Sequence, residues 1–391
     1  MTKKRVGIGI GLALLLGIVA LVIASIFEPS VDPDFEQNLT SASPAKTEQL
    51  IAGEAEKLGI TALSVTVIDG DKDPQNLYFG RAHKDGVMQV ASLSKAVAST
   101  VILMVADAQN VGLDDDIREQ VTSLDIASLD GGDRPVTLRQ LLSHTTGASQ
   151  SGYPGYPRDG DIPSTSDVIN APPRFIESQL AFDGEPGKFR YSGGGYTIAQ
   201  LWAEDVSGQS FEALAQDVLL APLAMTQSTF AQPLGSDGLA PLNIVGADAG
   251  FDPTEGIFSS LNDSWHIYPE KAAAGLWTTP QDYARFVAAI MDAAVGAENA
   301  IPASVATEMI KPVAKTGWEP GSYYGLGVMI SVTDGGEVSE ISHTGANAGY
   351  RSLFLAQPET EGRTRRVVVV SANTATSAYL NRAIGNAMMA R

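Results

Sequence analysis

The strongest constraint on the fold is the placement of β-rich sequence at the two ends of this 391-residue chain. Thr61–Ile68 alternates and is rich in β-formers. A turn at Asp69-Gly70-Asp71 and a second strand near Leu77–Ala82 follow it. Further strand-like runs appear in the last third, at Gly325–Val332, Val338–His343, Tyr350–Ala356 and Arg366–Ser371. Between about Leu113 and Trp265 the pattern is short helices separated by Gly/Pro-rich loops. This order predicts an α+β fold, in which the two ends share one antiparallel sheet flanked by N- and C-terminal helices. The expected sheet lobe is about 46–112 and 270–390. The middle, about 113–269, is an inserted, mainly helical lobe. The cleft between lobes is the default site.

Ser92-Leu93-Ser94-Lys95 falls at that junction. Gly86–Ala91 reads as strand. From Leu93 the apolar residues recur at 93, 96, 97, 101, 104 and 105, which is helical spacing. One turn therefore places Ser92 and Lys95 on one face, with the serine at a helix N-terminus that favours developing negative charge. A serine with an amine beside it suits acyl transfer, although an N-cap serine has the same local pattern. Ser43-Pro44-Ala45-Lys46 repeats the spacing without the strand-then-helix context and reads as N-terminal punctuation. A serine nucleophile also needs a proton shuttle and an oxyanion hole. Tyr191, in the glycine-rich Phe189–Tyr196 stretch, and His343-Thr344-Gly345-Ala346, after a strand-like run, are the candidates. Taken singly, each also reads as ordinary packing or a strand end.

The three motifs together, Ser92-Leu-Ser-Lys95, Tyr191-Ser-Gly193 and His343-Thr-Gly345, resemble the penicillin-recognising serine hydrolases. The closest group is the class C β-lactamase-like family, which includes D-alanyl-D-alanine carboxypeptidases, D-amino-acid peptidases and esterases. LRQLLSHTTG, AAAGLWTTPQDYARF and HTGANAGYRSLFLAQP support the resemblance, which covers about residues 45–390. It implies Ser92 as acylated nucleophile, Lys95 as its activator and Tyr191 as proton relay. It also implies the backbone N–H groups of Ser92 and Ala346 as oxyanion hole, and a structural role for His144. Two positions depart from the pattern. Gly193 stands where asparagine is frequent, and His343 stands where many β-lactamases carry lysine. The second change weakens the cation facing a β-lactam carboxylate. Tyr153, Tyr156 and Trp265 read either as cleft lining or as loop packing.

The expected function is hydrolysis of amide or ester bonds in a small-molecule or peptide substrate through a Ser92 acyl-enzyme. D-amino-acid peptide, carboxypeptidase or esterase chemistry is favoured. β-Lactam hydrolysis and a non-catalytic binding or scaffold role are the alternatives. The chain has no cysteine, so disulfides and thiolate chemistry are excluded, and its four histidines show no metal-ligand spacing. No metal or cofactor is expected. The net charge of −19 argues against a nucleic-acid partner.

Lys3-Lys4-Arg5 precede an uncharged run from Val6 to Phe27, long enough at about 33 Å to span a hydrocarbon core. Residues 1–27 are therefore expected to be a single-pass inner-membrane anchor with a cytoplasmic N-terminus. Residues 28–45 are expected to be a tether and 46–390 the hydrolase domain in the periplasm or outside. A signal peptide cleaved near Val22-Ile23-Ala24, giving a secreted protein, is the competing reading.

Overall fold

The computed structural model describes residues 30–158, 160–170, 179–235, 242–252 and 257–391. Eight strands build the main sheet: β1 (Ala62–Asp69), β2 (Gln75–Gly80), β3 (Ala314–Lys315), β4 (Ser322–Tyr324), β5 (Met329–Val332), β6 (Val338–Asn347), β7 (Tyr350–Gln357) and β8 (Arg366–Ala372). Their order is β3-β4-β5-β6-β7-β8-β1-β2, and every pairing is antiparallel. The expected union of the chain's two ends occurs where β8 pairs with β1, with Val65 opposite Val370.

The valine run of β8 shows why this pairing is stable. Successive side chains on a strand point to opposite faces. Val368 and Val370 join Leu63, Val65, Leu353 and Leu355 in one core, while Val367 and Val369 join Ile68, Ile341 and Phe354 in the other. Each fully buried valine contributes roughly 1.5–3 kcal/mol. The first face is covered by three helices, α1 (Phe35–Thr40), α2 (Pro44–Lys57) and the terminal α7 (Ala378–Met389). The second face is covered by α3 (Ser94–Ala108) and α6 (Pro280–Ala294), and it continues into α4 (Gly193–Ser207) of the middle region.

Four expectations need adjustment. The segment 28–45 is not wholly a tether. Phe35 and Leu39, four residues apart on α1, are buried in the core shared with α7. Their spacing is sufficient to dock a six-residue helix, despite the polar composition around them. Second, Gly86–Gln89 is a strand but lies outside the main sheet. It pairs with Trp277–Thr278 and Asn243–Ile244. Third, Gly325–Val332 is not one strand. A turn at Gly327, with φ of 94°, separates β4 from β5. Fourth, the middle region carries a hairpin, Ala247–Asp252 with Ile257–Ser264, besides its helices. The expected anchor lies outside the described residues. Among those described, one span, Ala91–Ala108, is long and apolar enough to cross a membrane. It contains α3, whose residues from Ser94 to Leu103 are all buried in the protein.

Candidate active site

The strand Gly86–Gln89 leads into a tight turn, Ala91–Leu93, and α3 begins at Ser94. Ser92 thus sits on the turn that enters the helix rather than at its cap, which is Leu93, a shift of one residue from the sequence expectation. Ala91 adopts a φ of 52°, a conformation that costs a non-glycine residue on the order of 1 kcal/mol and persists only where surroundings enforce it. They do so here. The Val90 N–H donates to Leu276 O at 3.1 Å, the Leu276 N–H donates to Ser94 Oγ at 2.9 Å, and the Tyr283 hydroxyl donates to Leu93 O at 2.9 Å.

Lys95 lies one turn on. Its Nζ is 3.3 Å from Ser92 Oγ and donates to the carbonyl of Ala273 at 2.8 Å, on the short helix α5 (Lys271–Ala274). The side chain is buried, and among the described residues no carboxylate forms an ion pair with it. Burial alone therefore lowers its pKa from 10.5 to about 7. An amine poised near neutrality can accept a proton from the adjacent hydroxyl.

Tyr191 comes from the other lobe. Ser192 caps α4, accepting from the Gly195 N–H at 3.1 Å, and its own hydroxyl donates to Ser149 O at 2.6 Å. This fixes the preceding tyrosine, whose hydroxyl is close enough to Ser92 to interact with it electrostatically, while Lys95 Nζ stands 5.0 Å from its ring centre. Burial pushes the Tyr191 phenol above its ordinary pKa, so it enters as neutral O–H. His144, expected to support a loop, packs directly on this ring at 4.3 Å. Its Nδ1 accepts the Ser192 N–H at 3.0 Å.

His343-Thr344-Gly345-Ala346 is not a strand ending. β6 runs on to Asn347, past Ser342, its last partner position with Met329 of β5. Beyond that point the strand faces the Ala91–Leu93 turn. A Cβ on Gly345 would lie 2.2 Å from Val90 O, so only glycine permits the approach. Thr344 and Ala346 are exposed on this run.

His343 is buried, with Nδ1 2.7 Å from Thr344 O and Nε2 2.9 Å from the Tyr324 hydroxyl. A carbonyl only accepts, so the proton is on Nδ1 and the tyrosine donates to Nε2. Burial, assisted by Lys95, lowers the His343 pKa to about 3. The expected weak cation is therefore neutral, and Tyr324, which no motif marked, helps hold it so.

Gly193 has a steric reason. A Cβ there would meet Tyr153 Cε2 at 3.1 Å and Ser151 O at 3.2 Å, so any larger residue would require its neighbours to give by a few tenths of an ångström. The Tyr153 hydroxyl bonds Thr197 Oγ1 at 2.8 Å. Trp265 meets Trp277 edge-on at 5.4 Å and lies under Arg158 at 3.9 Å, which is packing. Tyr156 pairs with Ile267 in a two-residue ladder. The structure thus brings Ser92, Lys95, Tyr191 and His343 together and places Tyr153, Tyr156 and Trp265 in supporting contacts.

Residues 47–387 match the family model described as Beta-lactamase. Protein flp of Staphylococcus aureus is 27% identical over 208 residues, 50% of this chain and 40% of its own length, so the match spans about two fifths of that relative. The octameric penicillin-binding protein homologue from Pyrococcus abyssi superposes with a TM-score of 0.69 at 21% identity, over 89% of this chain and 77% of that one. D-amino acid amidase from Ochrobactrum anthropi, solved with L-phenylalanine amide, gives a TM-score of 0.64 at 19% identity, over 88% and 97%.

Proposed function

The chain belongs to the Beta-lactamase family of serine hydrolases, and from that premise we propose that Ser92 is acylated by amide or ester substrates of the D-amino-acid type. The observation that carries this reading is a buried Lys95, with a pKa of about 7, 3.3 Å from the Ser92 hydroxyl. Neutral Lys95 takes the hydroxyl proton as Ser92 Oγ attacks the carbonyl carbon. The backbone N–H groups of Ser92 and Ala346 receive the developing oxyanion. One such donor contributes about 3 kcal/mol of transition-state stabilisation. Tyr191 passes a proton to the departing nitrogen or oxygen, and water then releases the acyl group. Because the phenol pKa is raised, Lys95 is the base and Tyr191 the relay.

A neutral His343 offers no fixed charge to a substrate carboxylate. This favours amides, blocked peptides and esters over β-lactams and free C-terminal carboxylates. The likeness to an amidase of D-amino acids agrees with that preference. The apolar run Val6–Phe27 after three basic residues supports membrane tethering, with the hydrolase domain outside the cytoplasm.

The test is labelling with a fluorophosphonate and a fluorescent penicillin, followed by turnover of D-alaninamide, a D-Ala-D-Ala peptide, p-nitrophenyl acetate and nitrocefin. Wild type should label and should turn over the amide or ester faster than nitrocefin. Equal labelling of Ser92→Ala would remove Ser92 as nucleophile. Absence of any turnover would favour a binding role.

A further inference from the structure

An aromatic cluster packs beside His343. Trp318, on the loop between β3 and β4, is 55% exposed, one of three large apolar side chains so placed among the described residues. Its ring meets Phe189 edge-on, with centroids 5.2 Å apart. Phe189 precedes Tyr191 by two residues, and its ring reaches Tyr324 at 5.6 Å and His144 at 5.9 Å. Tyr324 in turn holds His343. An unbroken aromatic path therefore runs from solvent to the residue that begins the exposed run of β6. The pair also bridges the lobes, because Phe189 comes from the middle region and Trp318 from the sheet.

We propose that Trp318 and Phe189 form a subsite for the leaving part of the substrate, selecting an uncharged, apolar or aromatic leaving group. This rests on acyl transfer by Ser92 as described above. The direction follows from positions along β6. The oxyanion donor Ala346 lies three residues past His343, whereas Tyr191, which protonates the leaving atom, stands on the His343 side with ring centroids 6.1 Å apart. The leaving group departs toward His343, Tyr324 and the Phe189–Trp318 pair.

The basic side chains flanking Phe189 are already engaged, and the residue after Trp318 is an exposed glutamate, Glu319. Both His343 ring nitrogens are taken. Arg190 pairs with Asp183, and Lys188 pairs with Glu185 at 2.6 Å. Lys315 lies over Tyr323, which alternates to the face of β4 opposite Tyr324. A carboxylate arriving here would lose water without gaining a partner, whereas an apolar ring would cover an exposed indole.

The experiment compares kcat/KM for D-alanine p-nitroanilide and D-alaninamide in wild type, Trp318→Ala and Trp318→Phe, with melting curves to establish that each variant is folded. The anilide-to-amide ratio should fall about tenfold in Trp318→Ala, the scale of a lost apolar pocket contact, and should largely recover in Trp318→Phe. An unchanged ratio in Trp318→Ala would overturn the inference. So would a wild-type preference for free D-Ala-D-Ala over the anilide. Protection of Ser92 from the fluorophosphonate by the anilide reads binding without turnover, and it should weaken in Trp318→Ala. Failure of wild-type Ser92 to label would instead overturn the acyl-transfer reading itself.

Discussion

Lys95 makes a quantitative prediction about pH. An unperturbed lysine at 10.5 would be neutral in about one molecule in 3,000 at pH 7, whereas one at about 7 is neutral in half. Burial thus raises the population of competent base on the order of a thousandfold. The corresponding gap is about 5 kcal/mol of desolvation that the fold must offset. The sign is fixed by mechanism. The unprotonated amine is the base, so Ser92 acylation should rise tenfold per pH unit below the midpoint and level off above it.

Neighbouring groups should leave this limb clean. His343 titrates near 3, burial holds His144 well below its ordinary value, and the phenols of Tyr191, Tyr196 and Tyr324 are pushed upward. Glu270, at about 8, is the other strongly displaced group in that range and can be tested separately. The assay is the second-order rate of fluorophosphonate labelling of wild type between pH 5 and 9, with Lys95→Met as the control that should lose labelling. A midpoint near 7 is expected. A flat profile, or a rate still climbing at pH 9, would refute the assignment of a buried, unpaired Lys95 as base.

Glu270→Gln should make stability less sensitive to alkali. The carboxyl is fully buried, neither oxygen has a hydrogen-bond partner among the described residues, and burial raises its pKa from 4.5 to about 8. A raised carboxyl pKa destabilises the fold progressively above pH 4.5, by a ceiling of about 5 kcal/mol beyond pH 8. Urea unfolding should therefore show Glu270→Gln gaining on wild type from pH 5 to pH 9, and parallel pH curves would contradict this. Gly345→Ala should cost about 1–3 kcal/mol and at least tenfold in labelling rate, because its Cβ would push β6 off Val90 O. Wild-type labelling rates with unchanged stability would show that the close approach is dispensable.

The central strands of the sheet were legible because periodicity and composition agreed there, whereas the short edge strands β3 and β4 carried no such signal. The alternating Thr61–Ile68 and the valine run from 367 to 370 could be satisfied only by burying both faces. The short helix α1 was missed because its two anchors, Phe35 and Leu39, sit within a polar segment and find their partner at the opposite end of the chain. Tyr324 and the carbonyl of Ala273 carried no sequence signal. One belongs to no motif and the other is backbone, yet each hydrogen-bonds a candidate site residue, His343 or Lys95. Gly193 looked like a missing contact, whereas in the structure it packs closely against Tyr153 and Ser151.

The sequence alone pointed to the α+β class and the two-ended sheet through local pattern, and to Ser92, Lys95, Tyr191 and His343 as candidate site residues through the joint resemblance of three ordered motifs. Tertiary structure decided their protonation. Lys95 is pushed toward neutrality, His343 is held neutral and Tyr191 stays protonated. These properties arise from desolvation and from hydrogen bonds between residues far apart in the chain. No local spacing encodes them.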